Sequence, residues 1–470
     1  MKLGLVSLGC DKNTVDSERM LSALADQGAV YTRNLSEAEV ILVNTCGFID
    51  AAKEESIETL LEMGRMKDGG ECRAVVAVGC LVEQYRDELQ PALPEVDLFV
   101  GLRDMHRLVP ELERLGLLDS DRARHPGERI SLTERRHVRY LKISEGCDHG
   151  CAFCAIPLWR GRHRSFEADR LVAEAQRLEA QGVVELNLVA QDLAHYGRDR
   201  RDGADIASLL RRLLDETDIP WFRLLYIYSA GLREPLVELM AAEPRVVPYL
   251  DMPIQHASDA VLERMRRPER QGRLRERITW LRRSIPDLTL RTTVLVGFPG
   301  ETENDFRDLL DFMEDVEFDR LGAFAFSPQD GTRAMALEKE FLPDGVGRER
   351  LEELLEVQRA ISADRLATAV GRRVEALVDE GGETSVGRTW GQADDVDGVT
   401  LLEGEVGLVS GAIVEAEIVD ADDYDLRAEV KRIVRPAPGV VPSTGPTAPE
   451  VGQRRSLPVL PMGLEAVWGR

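Results

Sequence analysis

No apolar run in this sequence reaches the roughly 18 residues that a membrane-crossing helix needs. Residues 1–7 lack the charged-then-apolar layout of a signal peptide and read as a strand instead. A cytoplasmic protein without a membrane partner is therefore expected. Basic residues are in deficit, with 60 Lys and Arg against 84 Asp and Glu and a formal net charge of −24. A chain that coats nucleic acid phosphates needs the opposite balance, so direct RNA binding is not expected to be its primary task. The deficit fits a basic partner or plain solubility. There is no internal repeat. There is also no even set of cysteines: the seven, at positions 10, 46, 72, 80, 147, 151 and 154, cannot all pair. In a reducing compartment such a set reads as metal-binding or catalytic.

With 470 residues the chain exceeds a single core. Up to residue 116, short apolar runs at 3–8, 40–43, 74–78 and 96–100 have strand length. Between them, 15–25, 53–63 and 83–89 carry helical spacing. Alternation of this kind predicts a doubly wound parallel sheet, whose ligands sit outside the carboxyl ends of the strands. Cys10, Cys46 and Cys80 each follow one of the first three predicted strands, next to Gly9, Gly47 and Gly79. Three cysteines at equivalent strand ends point into one crevice. Cys72 lies in a Gly-Gly-Glu-Cys turn and reads as a bystander.

Residues 117–132 are charged and irregular, as a linker would be. From 133 to 366 a second series follows, with strands predicted at 138–143, 183–189, 222–228, 246–254, 288–296 and 320–326. Helices are predicted at 168–181, 206–215, 234–242, 259–266, 273–283 and 303–316. Six strand–helix units imply a partial version of the eight-fold barrel, with functional groups at the strand C-termini. After a charged helix over 347–369, five short glycine-punctuated strands in the 367–436 region predict a small antiparallel β-barrel. Residues 374–436 hold 16 acidic and 5 basic side chains, a net charge of −11. Residues 437–470 are proline-rich and read as a disordered tail. The expected fold class is thus multidomain α/β: a doubly wound domain, a partial (β/α) barrel and a small β-barrel.

One loop stands apart. Ile143 to Cys154 reads Ile-Ser-Glu-Gly-Cys-Asp-His-Gly-Cys-Ala-Phe-Cys, which puts Cys147, Cys151 and Cys154 close enough to share one metal centre. A four-iron cluster held by three thiolates keeps one iron open for a substrate, since full ligation takes four. Structural zinc is the rival reading, with His149 or His163 as a fourth ligand.

This Cys-x-x-x-Cys-x-x-Cys loop, at the end of a barrel's first strand, resembles the radical S-adenosylmethionine (SAM) superfamily. With three earlier strand-end cysteines and a trailing TRAM-like β-barrel, residues 1–435 are similar to the methylthiotransferase family. The local words Ser7-Leu8-Gly9-Cys10-Asp11-Lys12-Asn13-Thr14-Val15-Asp16-Ser17-Glu18 and Asn44-Thr45-Cys46-Gly47-Phe48-Ile49-Asp50 resemble its RimO-type, ribosomal-protein-modifying branch. So does Tyr140-Leu141-Lys142-Ile143-Ser144-Glu145-Gly146-Cys147. Asp11 departs from that branch, which has proline there.

The resemblance implies two 4Fe–4S clusters. Cys147, Cys151 and Cys154 would hold the one that cleaves SAM. Cys10, Cys46 and Cys80 would hold an auxiliary one that carries the sulfur to be transferred. Phe153, Gln191, Asp192, Gln255, Gly297 and Glu301 would line the SAM pocket, with His256 and Gly300 beside them. The implied target is the β-carbon of an aspartate in the small-subunit ribosomal protein uS12, reached by a 5′-deoxyadenosyl radical because no side-chain base removes an unactivated hydrogen. The implied electron donor is a flavodoxin or ferredoxin. A tRNA methylthiotransferase and a zinc-stabilised nucleic-acid-binding protein are the alternatives. The acidic terminal barrel speaks against both, because a barrel that grips RNA is basic. Asp394, Asp395, Asp397, Asp422, Asp423 and Asp425 are the residues expected to meet a basic protein.

Overall fold

Parallel strands with valine-rich, alternating faces organise both halves of the chain. The computed structural model describes residues 1–118, 129–133, 135–382, 384–404 and 407–439. The expected tail from residue 440 onward, and residues 119–128 of the expected linker, lie outside them. The described residues form two compact units: residues 1–133 with Ala155–Gly161, and residues 135–154 with 162–439.

The first unit is built on β1 (Lys2–Ser7), β2 (Val30–Tyr31), β3 (Val40–Thr45), β4 (Ala74–Gly79) and β5 (Leu98–Gly101). They form one all-parallel sheet in the order β2-β1-β3-β4-β5. Helices α1 (Asp11–Asp26), α2 (Asp50–Arg65), α3 (Cys80–Ala92) and α4 (Leu108–Arg114) follow the main strands. Alternation along β3 and β4 sends successive side chains to opposite faces. Leu42, Val76 and Val78 meet Leu21 and Leu24 of α1 on one face. Ile41, Val43, Val75 and Ala77 meet Leu60 and Met63 of α2 on the other. Both strands are buried throughout, and each Val or Leu so buried contributes about 1.5–3 kcal/mol. The ends of the expected linker are packed rather than free. Leu117 and Leu118 join the core under α1, and Arg129 pairs with Glu18 at 2.7 Å. The short helix α5 (Ile156–Trp159) also belongs to this unit.

In the second unit, β6 (Val138–Lys142) runs into β7 (Ser144–Glu145), which pairs with β8 (Arg164–Ser165). Then come α6 (Ala168–Ala180), β9 (Glu185–Val189), α7 (Ile206–Glu216), β10 (Trp221–Leu224), α8 (Glu234–Ala242) and β11 (Val246–Asp251). They are followed by α9 (Asp259–Arg264), α10 (Gln271–Ser284), β12 (Thr289–Val296), α11 (Glu303–Val316) and β13 (Arg320–Ala325). The six long strands pair in parallel in sequence order, β6-β9-β10-β11-β12-β13, which is the predicted partial barrel. Two strands end three or more residues earlier than expected. The run 222–228 stops at Leu224 because Tyr226 takes a left-handed φ of 65°, and 246–254 stops at Asp251, ahead of Gln255 at φ 70°. Both residues turn the chain at the active end of the sheet, where strained backbone is found.

Helix α12 (Val346–Ala367) leads into β14 (Arg373–Glu380), β15 (Ser385–Thr389), β16 (Thr400–Glu403), β17 (Ile413–Ala421) and β18 (Leu426–Arg435). These close into a barrel in the order β14-β15-β16-β18-β17. The expectation of an antiparallel barrel needs one correction: β16 and β18 pair in parallel, from Thr400↔Leu426 to Glu403↔Glu429.

The barrel seals the N-terminal end of the core strands through buried charges. Arg388 donates to Asp379 at 2.7 and 3.0 Å and pairs with Glu185 at 2.8 Å. Arg223 also donates to Glu185, at 2.6 Å, and to the carbonyl of Trp390 at 2.6 Å. Burial alone would raise the Glu185 pKa, but Arg388 and Arg223 outweigh it and hold the carboxyl below its ordinary range. Tyr249 donates to Asp397 at 2.7 Å, and His137 meets Asp379 at 2.9 Å.

Candidate functional site

The first cysteine triad lies where β1, β3 and β4 end. Cys10 precedes α1, Cys46 follows β3, and Cys80 opens α3. Gly79 is required between β4 and Cys80: its φ is 105°, and a Cβ there would sit 2.4 Å from the Thr45 carbonyl oxygen. Ser56 clamps Cys46 at both backbone atoms, accepting from its N–H at 3.0 Å and donating to its carbonyl at 2.9 Å. Cys46 and Cys80 are buried and Cys10 is half-buried. Burial pushes the Cys46 thiol up to about 12, and the neighbouring Cys10 and Cys80 add to the rise. The three sulfurs therefore feel one another, as sequence reasoning expected of one crevice. Cys72 is elsewhere, buried with its thiol against the Ala74 carbonyl at 3.6 Å.

The second triad sits in the loop after β7. Cys147 is pushed up to about 12, first by burial, with Cys151, Asp192 and Asp148 adding to it. The loop is seated by backbone bonds from Ala152 N–H to the Met265 carbonyl, 2.9 Å, and from Ala334 N–H to the Ala152 carbonyl, 2.8 Å. Phe153 packs half-buried among Val261, Met265 and Phe298. Arg267 is 3.9 Å from the Cys151 sulfur and lies over the Tyr228 ring at 4.0 Å. A donor set of three thiols suits a four-iron cluster with one open corner better than a closed tetrahedral zinc site. Each set offers three thiols, one short of full ligation.

The remaining sequence-picked residues divide. Gln191 faces the same loop, its amide 3.4 Å from Glu145 and its carbonyl oxygen buried without a partner. Gln255 is held by backbone bonds to Thr293 and Leu295. Gly297 approaches α12, where a Cβ would meet Gly347 at 2.8 Å. Asp192 and Glu301 are committed to protein contacts. Asp192 accepts from the N–H groups of Ala194 and Tyr228 at 2.9 and 3.1 Å and binds His149 at 2.8 Å. Glu301 accepts from Phe298 N–H at 3.1 Å and from Arg350 at 2.7 Å, which ties the β12 turn to α12. Both were expected to line the SAM pocket, and each also braces a strand-end loop.

The histidines proposed for zinc are also engaged. His149 stacks on Tyr228 at 4.0 Å while bound to Asp192, and His163 lies 3.1 Å from the Ser165 hydroxyl. His149, Asp192 and His195 do bring three donor atoms within 4.8 Å, yet the 2.8 Å His149–Asp192 contact is a hydrogen bond that orients the cysteine loop. Missed altogether were Ser56, Arg160, Tyr228 and Arg267, which belong to neither cysteine motif, although Ser56 shares the buried face of α2 with Leu60 and Met63.

His256 carries a pH consequence. It is fully buried, its Nδ1 accepts from Ser258 N–H at 3.0 Å, and its Nε2 lies 3.7 Å from Glu301. Burial lowers its pKa to about 3, with Asp305 opposing and Arg350 reinforcing the shift. Only the unfolded chain takes up this proton near pH 6.5. The stability is therefore complete above that pH and is lost as pH falls toward about 3. Urea midpoints at pH 7 and pH 5 should fall less for His256→Gln than for wild type.

Residues 2–101 match the uncharacterized protein family UPF0004, 141–313 the Radical SAM superfamily, and 370–430 the TRAM domain. Over 458 residues the chain is 44% identical to the ribosomal protein uS12 methylthiotransferase RimO of Anaeromyxobacter sp. (strain K), covering 96% of this chain and 97% of that one. The chain belongs to the RimO family. A second RimO, from Desulforudis audaxviator, is 45% identical over 91% of this chain and 97% of its own length. Among solved structures, the radical SAM methyltransferase TsrM from Kitasatospora setae aligns at 15% identity with a TM-score of 0.49, covering 69% of this chain and 74% of that one. As a RimO-family protein the chain is a radical SAM methylthiotransferase, an enzyme that uses an iron–sulfur cluster and SAM. Among the described residues no helix is long and apolar enough to cross a membrane.

Proposed function

We propose that this RimO-family enzyme attaches a methylthio group to the β-carbon of an aspartate in ribosomal protein uS12, in the cytoplasm, using two 4Fe–4S clusters. The observation that carries the reading is the pair of separate cysteine triads, each at the C-terminal ends of parallel strands and each one thiolate short of a closed set. Cys147, Cys151 and Cys154 hold the cluster at which SAM is cleaved, and Cys10, Cys46 and Cys80 hold the auxiliary cluster that carries the sulfur. When bound, these groups supply the electron that cleaves the SAM sulfonium bond and the sulfur that the carbon radical takes up.

The chain's own residues bind, orient and exclude water. Ser56 and Gly79 fix the backbone on which the auxiliary ligands stand. Asp192 and His149 hold the second cysteine loop against Tyr228. Gln191, whose carbonyl oxygen is buried without a partner, and the half-buried Phe153 would meet the cofactor there. A flavodoxin or ferredoxin delivers the electron.

Mass spectrometry of uS12 and tRNA from cells lacking this chain tests the reading. The expected result is uS12 without one methylthio group and tRNA unchanged. Loss from tRNA alone would assign the enzyme to the other branch.

The acidic face offered to basic uS12 is smaller than the sequence implied. Asp394 and Asp397 are buried against Arg135, Arg388, Arg291 and Tyr249, so they belong to the joint between core and barrel. Asp395, Asp422 and Asp425 are exposed, and Asp423 is half-buried beside Arg359. The pair Asp422→Asn and Asp425→Asn should slow association with uS12 several-fold at low salt and leave the melting temperature nearly unchanged. Surface plasmon resonance across a salt series reads the first effect and calorimetry the second.

A further inference from the structure

Arg160 and Trp159 lie against the auxiliary triad within the first unit, and no motif reading assigns them a task. The Arg160 side chain is only 2% exposed. It donates to the Asn13 amide oxygen at 2.6 Å and to Asp16 at 3.0 Å, and lies 3.6 Å from the Cys80 sulfur. Asn13 is itself fixed, donating to the carbonyls of Leu8 at 2.9 Å and Thr45 at 3.3 Å, the ends of β1 and β3. The guanidinium is thus bolted to the crevice floor by a carboxylate and an oriented amide. Trp159 packs with Cys80 and Ala155, is 2% exposed, and its indole N–H is buried without a hydrogen-bond partner. A buried, unpaired N–H beside a thiol is costly unless an acceptor arrives. Thiolate and sulfide sulfurs of an anionic cluster are such acceptors.

We propose that Arg160 and Trp159 are positioning residues of the auxiliary cluster, donating hydrogen bonds to its Cys80 thiolate and its sulfur edge. The proposal rests on the reading that Cys10, Cys46 and Cys80 hold that cluster. Hydrogen bonds and net charge near the sulfurs set a cluster's reduction potential. A fixed cation favours the reduced, more negative state and raises that potential. It also holds the Cys80 ligand in place, because such outer contacts orient the ligands themselves.

The test uses the full chain with Cys147, Cys151 and Cys154 replaced by alanine, so that one cluster is read. Iron content, midpoint potential by redox titration, and the rate of iron loss to a chelator are measured after anaerobic reconstitution. Arg160→Gln should move the potential to a more negative value and speed iron loss on the order of tenfold or more. Arg160→Lys keeps the charge without the fork that spans Asn13, Asp16 and Cys80. Its potential should stay near wild type while iron loss is still faster. Trp159→Phe keeps the packing and should lower the potential by less than Arg160→Gln. Wild-type potential and wild-type loss rate in Arg160→Gln would overturn the proposal. If Arg160→Gln binds no iron, Arg160→Lys decides: a wild-type loss rate there overturns it equally. Full iron retention after also replacing Cys10, Cys46 and Cys80 by alanine would instead defeat the ligand assignment beneath it.

Discussion

Alanine in place of Cys147, Cys151 and Cys154 is expected to abolish SAM cleavage, whereas alanine in place of Cys10, Cys46 and Cys80 spares cleavage and stops methylthio insertion. The two triads sit in different units of the fold, so each can be emptied while the other keeps its backbone. Wild-type protein reconstituted without oxygen should carry about eight irons, and each triple variant about four. Release of 5′-deoxyadenosine measures the first function, and mass analysis of uS12 the second. Equal loss of both activities in both variants would mean that the triads do not hold separate clusters. Stoichiometric zinc without iron would remove the assignment entirely.

Arg388→Met is expected to cost about 3–5 kcal/mol of stability, the usual penalty for stripping one partner from a buried ion cluster. Arg388 is 1% exposed and answers Glu185 and Asp379, themselves 0% and 1% exposed. Methionine fills the space but leaves two carboxylates buried beside each other. Arg223 and His137 compensate only one of them each. Urea denaturation at pH 7 reads the loss. Asp423→Asn, at the exposed Arg359 pair, sets the scale by costing under about 1 kcal/mol. A loss below that figure for Arg388→Met would show that the network relaxes around the gap.

Much of this fold was legible because apolar periodicity and glycine placement are local signals. Helices α8 and α11 fall at their predicted bounds, and β3 and β4 at their predicted starts. The six clustered cysteines were readable for the same reason, since their spacing relative to strand ends is written in the chain. What could not be read was commitment. Asp394 and Asp397 look like solvated charges in a run of acids, and only tertiary placement shows them paired with arginines over a hundred residues away. Glu301 follows a glycine turn in a way that fits a cofactor ligand or a brace, and its partner Arg350 lies 49 positions on. The parallel pairing of β16 and β18 escaped because five short strands in a row read as hairpins. Arg160 was invisible for another reason: a lone arginine after a cysteine loop has no pattern until Cys80 and Asn13 surround it.

The charged seam under the core strands has a further consequence for how the second unit melts. Glu185 begins a core strand yet is neutralised by an arginine from the terminal barrel, and Tyr249 is satisfied by Asp397 of that same barrel. Pulling the barrel away would break both contacts, leaving Glu185 with Arg223 alone and Tyr249 without its acceptor. Opening the joint costs these contacts together, so core and barrel are expected to unfold as one cooperative unit. Calorimetry should show them unfolding in a single transition, although a shared TRAM domain would lead one to expect a detachable accessory.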